Sequence, residues 1–275
     1  MLSTVPSTSG YDGGTELLET HETASRLRLP PTFTRNLSML VSYSRMVFLV
    51  LFAAVLVPTI HAENPTSQKA EQQATATELF DGKSLAGWDS HLDDENAKTA
   101  DVWSVRDGVL VCKGQPMGYL YTTKQYENFK LKLQWRWPEG KEPGNSGVLL
   151  RISGEPHGFL VKCAEAQLKH GNAGDVWGFY GFHVSGDRNR IREVKDHKDL
   201  GNFAGVAHSI NAEKEPGQWN TYEIKLIDDD LTVKINGELV NQATDLEVTP
   251  GYIGLQSEGT EIEFRNIELT VVEKS

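Results

Sequence analysis

Residues 129–137, F-K-L-K-L-Q-W-R-W, alternate without a break between apolar and polar positions. Phe129, Leu131, Leu133, Trp135 and Trp137 point one way, and Lys130, Lys132, Gln134 and Arg136 the other. A period of two belongs to a strand with one buried and one wet face. Tyr222, Ile224 and Leu226 repeat the pattern, and Tyr252 to Leu255 and Glu261 to Val272 predict the last two strands. Asp107-Gly108 and Asn236-Gly237 each separate two strand-like runs, which is the signature of a two-residue hairpin turn. No helical periodicity of useful length occurs from Glu78 onward. Many short antiparallel strands joined by Gly-rich turns predict an all-β jelly-roll sandwich. Residues 169–211, rich in Gly, His, Arg and Asp, break the rhythm and read as a long irregular, functional segment.

The chain ahead of this pattern has a different character. Residues 47–57, V-F-L-V-L-F-A-A-V-L-V, form an apolar run preceded by Arg45 and followed by P-T-I-H-A-E. A charged start, an apolar middle and a small-residue exit predict a secretory signal peptide cleaved after Ala62. The run is about half the roughly 20 residues that cross a bilayer, so no stable membrane span is expected after processing. The 45 residues before Met46 exceed an ordinary charged leader, so translation is expected to start at Met39 or Met46. Residues 63–77 are polar, lack aromatics and read as a tether. The expected organisation is therefore 1–62 as extension and signal peptide, 63–77 as linker and 78–272 as the folded domain. The expected location is periplasmic or extracellular.

The formal charge of −11 arises entirely after residue 62, because four acidic residues and four arginines cancel before it. This balance argues against nucleic acid, whose phosphates require clustered Lys and Arg. It suits a neutral or basic ligand. Cys112 and Cys163 are too few for a disulfide framework, and two buried free thiols are as consistent with the spacing as a bond.

Candidate chemistry concentrates between Trp135 and Leu168 and just beyond. Arg151, Glu165 and Gln167 interrupt apolar runs, and a charge within a strand is unfavourable unless it faces water or a partner. Glu165 shares its strand face with Cys163 and Gln167, and Arg151 shares one with Leu149. If these strands belong to one sheet, Arg136, Arg151, Glu165 and Gln167 are expected on its wet face. A surface Arg–Glu ion pair is the plainer account of two of them, contributing under roughly 1 kcal/mol. Gly144-Asn145-Ser146-Gly147 reads first as a tight turn. Ordinary glycosidases hold two carboxyl groups across the scissile bond, whereas the strand neighbour of Glu165 is the neutral Gln167. Only a distant Asp175 or Asp187 could fold into reach. Of His170, His183, His197 and His208, none has metal-ligand spacing, and His183 stands among aromatics and glycines in W-G-F-Y-G-F-H-V, suited to stacking on a sugar. Simple packing of a loop explains those aromatics equally well. No nucleotide-binding or G-x-S-x-G motif is present.

Taken together, L-F-D-G-K-S-L-A-G-W (79–88), N-S-G-V-L-L-R (145–151), E-A-Q-L-K-H-G-N-A-G-D-V-W (165–177), G-Q-W-N-T-Y-E-I (217–224) and G-L-Q-S-E-G-T-E-I-E-F-R-N-I (254–267) resemble the 3-keto-disaccharide hydrolase domain family. The resemblance covers about Glu78 to Val272 and implies a concanavalin A-like sandwich. It also implies a 3-keto-glycoside substrate, cleaved by elimination across C2 and C1 and then hydration. That route needs a base and an enolate stabiliser. Glu165 or His183 is the expected base, and Arg151 or Arg136 the expected stabiliser. Asn145, Gln167, Trp177 and Gln256 are the further substrate-binding positions. The ketone is expected from a separate nicotinamide-dependent oxidoreductase. A divalent cation at the sheet rim is compatible with the fold, though no motif demands it. The alternatives are a non-catalytic lectin-like module, since fold does not fix function, and a conventional glycoside hydrolase.

Overall fold

The computed structural model of the protein describes residues 75–273. The apolar run 47–57, the cleavage site after Ala62, both start methionines and most of the 63–77 tether lie outside these residues. Among the described residues no helix is long and apolar enough to cross a membrane.

The described residues form a sandwich of two antiparallel sheets, as the alternation predicts. The first runs in the order Ser185–Gly186 (β10), Glu238–Thr244 (β15), Asp230–Ile235 (β14), Asn220–Ile227 (β13), Phe129–Arg136 (β6), Ile262–Val271 (β17), Val109–Cys112 (β4) and Trp103–Arg106 (β3), with Thr77–Glu78 (β1) also on β17. The second runs Ile191–His197 (β11), Gly201–Val206 (β12), Val176–Phe179 (β9), Leu160–Gln167 (β8), Gly147–His157 (β7), Tyr252–Ser257 (β16), Gly118–Thr122 (β5) and Trp88–Leu92 (β2). The one helical piece among these residues is a single turn, Thr99–Val102.

Both expected hairpin turns form. Asp107 and Gly108 have φ of 53° and 78°, and Asn236 and Gly237 have 54° and 89°. Two successive positive φ values give the twist that joins neighbouring strands, and Asn-Gly or Asp-Gly reaches them at least strain. The inner face of β6 buries Phe129, Leu131, Leu133 and Trp135. Against them pack the inward positions of the second sheet, among them Val148, Leu150, Ala164, Ala166, Val176, Val206 and Leu255. The two alanines bracketing Glu165 are therefore core residues, and their small size lets the sheets approach there. Cys112 and Cys163 are free, buried and on different sheets.

Residues 169–211 were expected to be irregular, yet they supply β9, β10, β11 and β12. Three of these extend the second sheet beyond β8. β11, I-R-E-V-K-D-H, is exposed at five of its seven positions. It lies at the sheet edge, where charge protects the unpaired backbone from further pairing. Strands of this kind lack the apolar alternation by which the others are legible.

Candidate active site

The outward face of the second sheet carries a second, smaller apolar cluster that includes Tyr119, Leu149, Ile152, Cys163 and Phe179. Beside it lies a polar patch whose layout follows from strand register. β7 pairs with β8 so that Gly147 opposes Gln167 and Leu149 opposes Glu165. β8 pairs with β9 so that Glu165 opposes Trp177, and the same register continues to Asp175, whose carbonyl accepts from the Gln167 N–H at 2.9 Å. On the other side, Gly254 opposes Leu149 and Leu255 opposes Val148, which sets Gln256 opposite Gly147. Asn145 bridges to Glu258. Glu165, Gln167, Asp175, Trp177, Asn145, Gln256 and Glu258 thus share one face, converging around Gly147.

Gly147 leaves the centre of this patch without a side chain, and the Glu165 carboxyl fills that space. A Cβ at Gly147 would lie 2.6 Å from Glu165 Cδ and would collide with Oε1. Glu165 is only 2% exposed, and its Oε1 has no hydrogen-bond partner. The side-chain oxygens of Asn145 and Gln256 are likewise buried and unpartnered. Buried polar atoms are ordinarily paired, so three unpartnered oxygens around one glycine mark a place completed by partners from elsewhere.

Electrostatics separate the groups. Burial holds the Glu165 carboxyl well above the usual carboxylate range, and the charges of Glu258 and Asp175 push it further in the same direction. Glu258 is also raised, by burial, with the Asn145 side chain and the Lys169 ammonium partly offsetting it. Gln167 is oriented rather than free to turn. Its Oε1 accepts from the backbone N–H groups of Leu168 and Lys169, each at 3.1 Å, which commits the oxygen to the chain and leaves the amide Nε2 as the donor end. Asp175 Oδ1 accepts from the His208 backbone N–H at 2.7 Å and meets His208 Nδ1 at 2.6 Å. The hairpin between β7 and β8 reaches across the apolar side of the face. His91 Nε2 meets Gly158 O at 2.7 Å, and His157 stacks on Tyr180 with ring centroids 4.7 Å apart.

Three residues expected in the site lie elsewhere. Arg136 belongs to the first sheet, where it donates to Glu263 Oε2 at 2.6 Å and covers the Trp219 ring at 4.5 Å. The expectation that it shares a wet face with Glu165 is corrected: β6 and β8 are in different layers, so the two outward faces point apart. Arg151 is fully buried and donates to the backbone carbonyls of Glu127, Glu247 and Asp228. It has a φ of 52° at a register shift in β7, so the alternation that would have placed it beside Leu149 is interrupted there. His183 is exposed beside a cavity of about 440 Å3 bordered by Gly178, Glu193 and Ala204. Gly178 and Ala204 pair in the row of Ala164, whose side chains turn away from Glu165. Trp177 does share the face, but its indole lies over Gly205, where a Cβ would sit 2.6 Å from the ring.

Glu258 and Lys169 are the additions, beside Asp175, left open as a distant carboxylate, and His208, one of the four histidines of the irregular segment. Glu258 and Lys169 follow Gln256 and Gln167 by two positions, so the period of two was the signal for both. Nothing in the sequence singles His208 out from the other three histidines, because its place depends on β12 pairing with β9. Asp187 stays apart, in a turn with Asn189 and Arg190. Among the described residues no three His, Cys, Asp or Glu side chains are grouped to hold a metal ion.

Residues 75–270 match the family described as the 3-keto-alpha-glucoside-1,2-lyase-like domain. The chain belongs to this family. A 3-keto-disaccharide hydrolase from Bacteroides thetaiotaomicron is 23% identical over 244 residues, spanning 71% of this chain and 78% of that protein. A crystal structure from Parabacteroides distasonis, described as a candidate glycosyl hydrolase, superposes with a TM-score of 0.52 at 22% identity, covering 72% of this chain and 94% of that one. A second structure from that organism, similarly described, gives 0.50 at 22% identity and covers 72% and 100%. These likenesses establish the shared sandwich fold.

Gly147→Ala tests the geometry directly. The new methyl group meets the movable end of Glu165 rather than backbone, so the fold should persist while the carboxyl is displaced. We expect at least a 10-fold loss of turnover, given how steeply catalysis falls with misplacement, with a melting temperature within a few degrees of the parent. Unchanged turnover would show that the position of Glu165 over Gly147 is unimportant.

Proposed function

We propose that this protein is a carbohydrate-active hydrolase that cleaves 3-keto-glycosides by elimination followed by hydration at the face around Gly147. Family membership and the name of the Bacteroides relative support a glycosyl-bond hydrolase. The observation that carries the finer reading is the pairing of a buried, proton-retaining Glu165 with an amide at Gln167 whose donor end is fixed. A ketone at C3 acidifies the C2 hydrogen. When that proton leaves, charge develops on the C3 oxygen, where a fixed N–H donor stabilises it. The aglycone oxygen then departs from C1 and needs a proton, which a carboxyl held neutral by burial can give. Water afterwards adds at C1, and the ionised Glu165 takes its proton. The orphaned acceptors on Asn145 and Gln256 match donor hydroxyls on the sugar.

A second reading, conventional hydrolysis, is favoured by one observation. Asp175, the distant carboxylate left open as able to fold into reach, lies diagonally across from Glu165 on the adjacent strand, and Glu258 is close enough to perturb it. Diagonal neighbours in a sheet are about 7 Å apart, within reach of a two-carboxylate mechanism. The two readings, and a lectin-like module, separate in one experiment. The domain from residue 75 onward is incubated with a 3-keto-glucoside and with its unoxidised parent. The proposal expects cleavage of the ketone alone. Equal cleavage of both would favour the conventional mechanism, and binding of both without turnover would favour the lectin. In this scheme the ketone is supplied by a separate oxidation at C3, and the protein works outside the cytoplasm. N-terminal sequencing of the native protein should find residue 63 first; a chain starting at Met1, Met39 or Met46 would overturn export by this signal.

A further inference from the structure

The elimination needs a base as well as an acid, and Glu165, lying protonated, cannot serve as both at once. The two groups expected to accept the C2 proton were Glu165 and His183, and His183 lies beside a row of side chains facing the other way. We propose that His208, oriented by Asp175, is the base that removes the C2 proton. This inference rests on the elimination reading above.

Asp175 follows the register of the patch, level with Gln167 and Gly147. Its Oδ1 holds the His208 ring through Nδ1 at 2.6 Å and anchors the same residue's backbone N–H at 2.7 Å. Two contacts to one carboxylate oxygen fix both the ring and the chain that bears it. With Nδ1–H donated to a carboxylate, the neutral ring presents Nε2 as its lone-pair acceptor, the arrangement by which a carboxylate orients a catalytic imidazole. The His208 side chain is 18% exposed and that of Asp175 12%, so the ring is sheltered yet reachable. The groups bordering this pair on the same face are Glu165, Gln167 and Trp177, with Lys169 and Glu258 beyond. Among the described residues only Asp175 holds the His208 ring by a hydrogen bond. The face thus holds two proton-transfer groups, Glu165 over Gly147 and His208 at the β12 end.

The C2–H bond breaks and its proton goes to Nε2 of His208. The electron pair moves onto the C3 oxygen as the enolate, next to the Gln167 amide. It returns to form the C1–C2 double bond as the C1–O bond breaks, and the departing oxygen takes the Glu165 proton. In hydration, water oxygen bonds to C1, its proton goes to Glu165, and C2 recovers a proton from His208. Both groups regain their starting states.

The test uses the full chain with two 3-keto-glucosides, one with a sugar leaving group and one with a 4-nitrophenyl group. A nitrophenolate needs no proton to depart, so Glu165→Gln should be rescued on that substrate. His208→Asn should remain at least 100-fold slower than the parent on both substrates. It should also lose exchange of the C2 hydrogen with deuterated water, with a melting temperature and an affinity for the unoxidised parent glucoside close to those of the wild type. Asp175→Asn, a change at a positioning residue, should lower the C2 exchange rate and kcat while leaving KM unchanged. Retention of C2 exchange in His208→Asn, or its rescue by the nitrophenyl group, would overturn the assignment while leaving the elimination reading intact. A wild-type protein inert toward both ketones would overturn the two together.

Discussion

Replacing Glu165 with Gln is expected to lower kcat/KM on a 3-keto-glycoside with a sugar leaving group by about 10³-fold, within the range of a lost general acid, while leaving the protein folded. The two expectations have one cause. Glu165 is buried, lacks a partner for Oε1 and stands near two other carboxyl groups, all of which favour its protonated form in the folded protein. Gln keeps the shape and one donor N–H but cannot release a proton. A neutral-for-neutral exchange leaves no charge behind, and it removes a group that the fold accommodates only in its protonated form. The pH dependence follows with a definite sign. Glu165 is raised in the fold above its value in the unfolded chain, so its favourable contribution is complete below about pH 4.5. It is lost as pH rises, since the unfolded chain then ionises freely while the folded one cannot. Wild-type stability should therefore decline from about pH 4.5 upward relative to Glu165→Gln, and the two melting curves should converge in acid. Thermal unfolding from pH 4 to pH 9 measures this. A variant that tracks the wild type throughout would show that Glu165 ionises in the fold as it does in the open chain.

How far the sequence made this site legible depends on the kind of information each residue carries. Strict alternation in 129–137 and the two hairpin dipeptides depend on neighbours within a few positions, and these parts of the sandwich are readable without coordinates. Glu165 and Gln167 are visible as polar residues within strand-like runs, whereas Asn145 reads as a turn residue and Gln256 enters only through the family resemblance. Their meeting around Gly147 required knowing that β7 lies between β8 and β16. Arg136 was misplaced for the converse reason, because alternation shows that a residue is outward without showing from which layer. Arg151 was misplaced because a single extra residue at a bulge reverses the faces beyond it. β11 and β12 were not legible at all, since a charged edge strand and a Gly-rich strand carry no burial pattern.

Arg151→Met is expected to act in the opposite sense to Glu165→Gln, with a large loss of stability and little change in the turnover of whatever remains folded. The guanidinium is fully buried. Its hydrogen bonds go to three backbone carbonyls, those of Glu127, Asp228 and Glu247, from three separate connections of the chain. Burial lowers its pKa, and the nearby charges of Glu127, Asp228 and Asp229 oppose that shift. A guanidinium remains ionised under such conditions because its five donors are spread over a delocalised charge. Met fills similar volume but donates nothing, leaving three carbonyls without their partner. A hydrogen bond to a charged group contributes roughly 1.5–3 kcal/mol, so even with water replacing part of them the lost contacts give a loss of about 3 kcal/mol. Lys is no substitute, since one ammonium cannot reproduce the planar fork that spans three acceptors. Relief of the positive φ at Arg151 does not help either variant, because both Met and Lys carry a Cβ. Urea unfolding monitored by tryptophan fluorescence gives the stability. Assays below the transition, normalised to the folded fraction, give the activity. A loss under about 1 kcal/mol would mean that water satisfies the three carbonyls as well as Arg151 does. A normalised kcat that fell with the stability would instead return Arg151 to the site from which its register removes it.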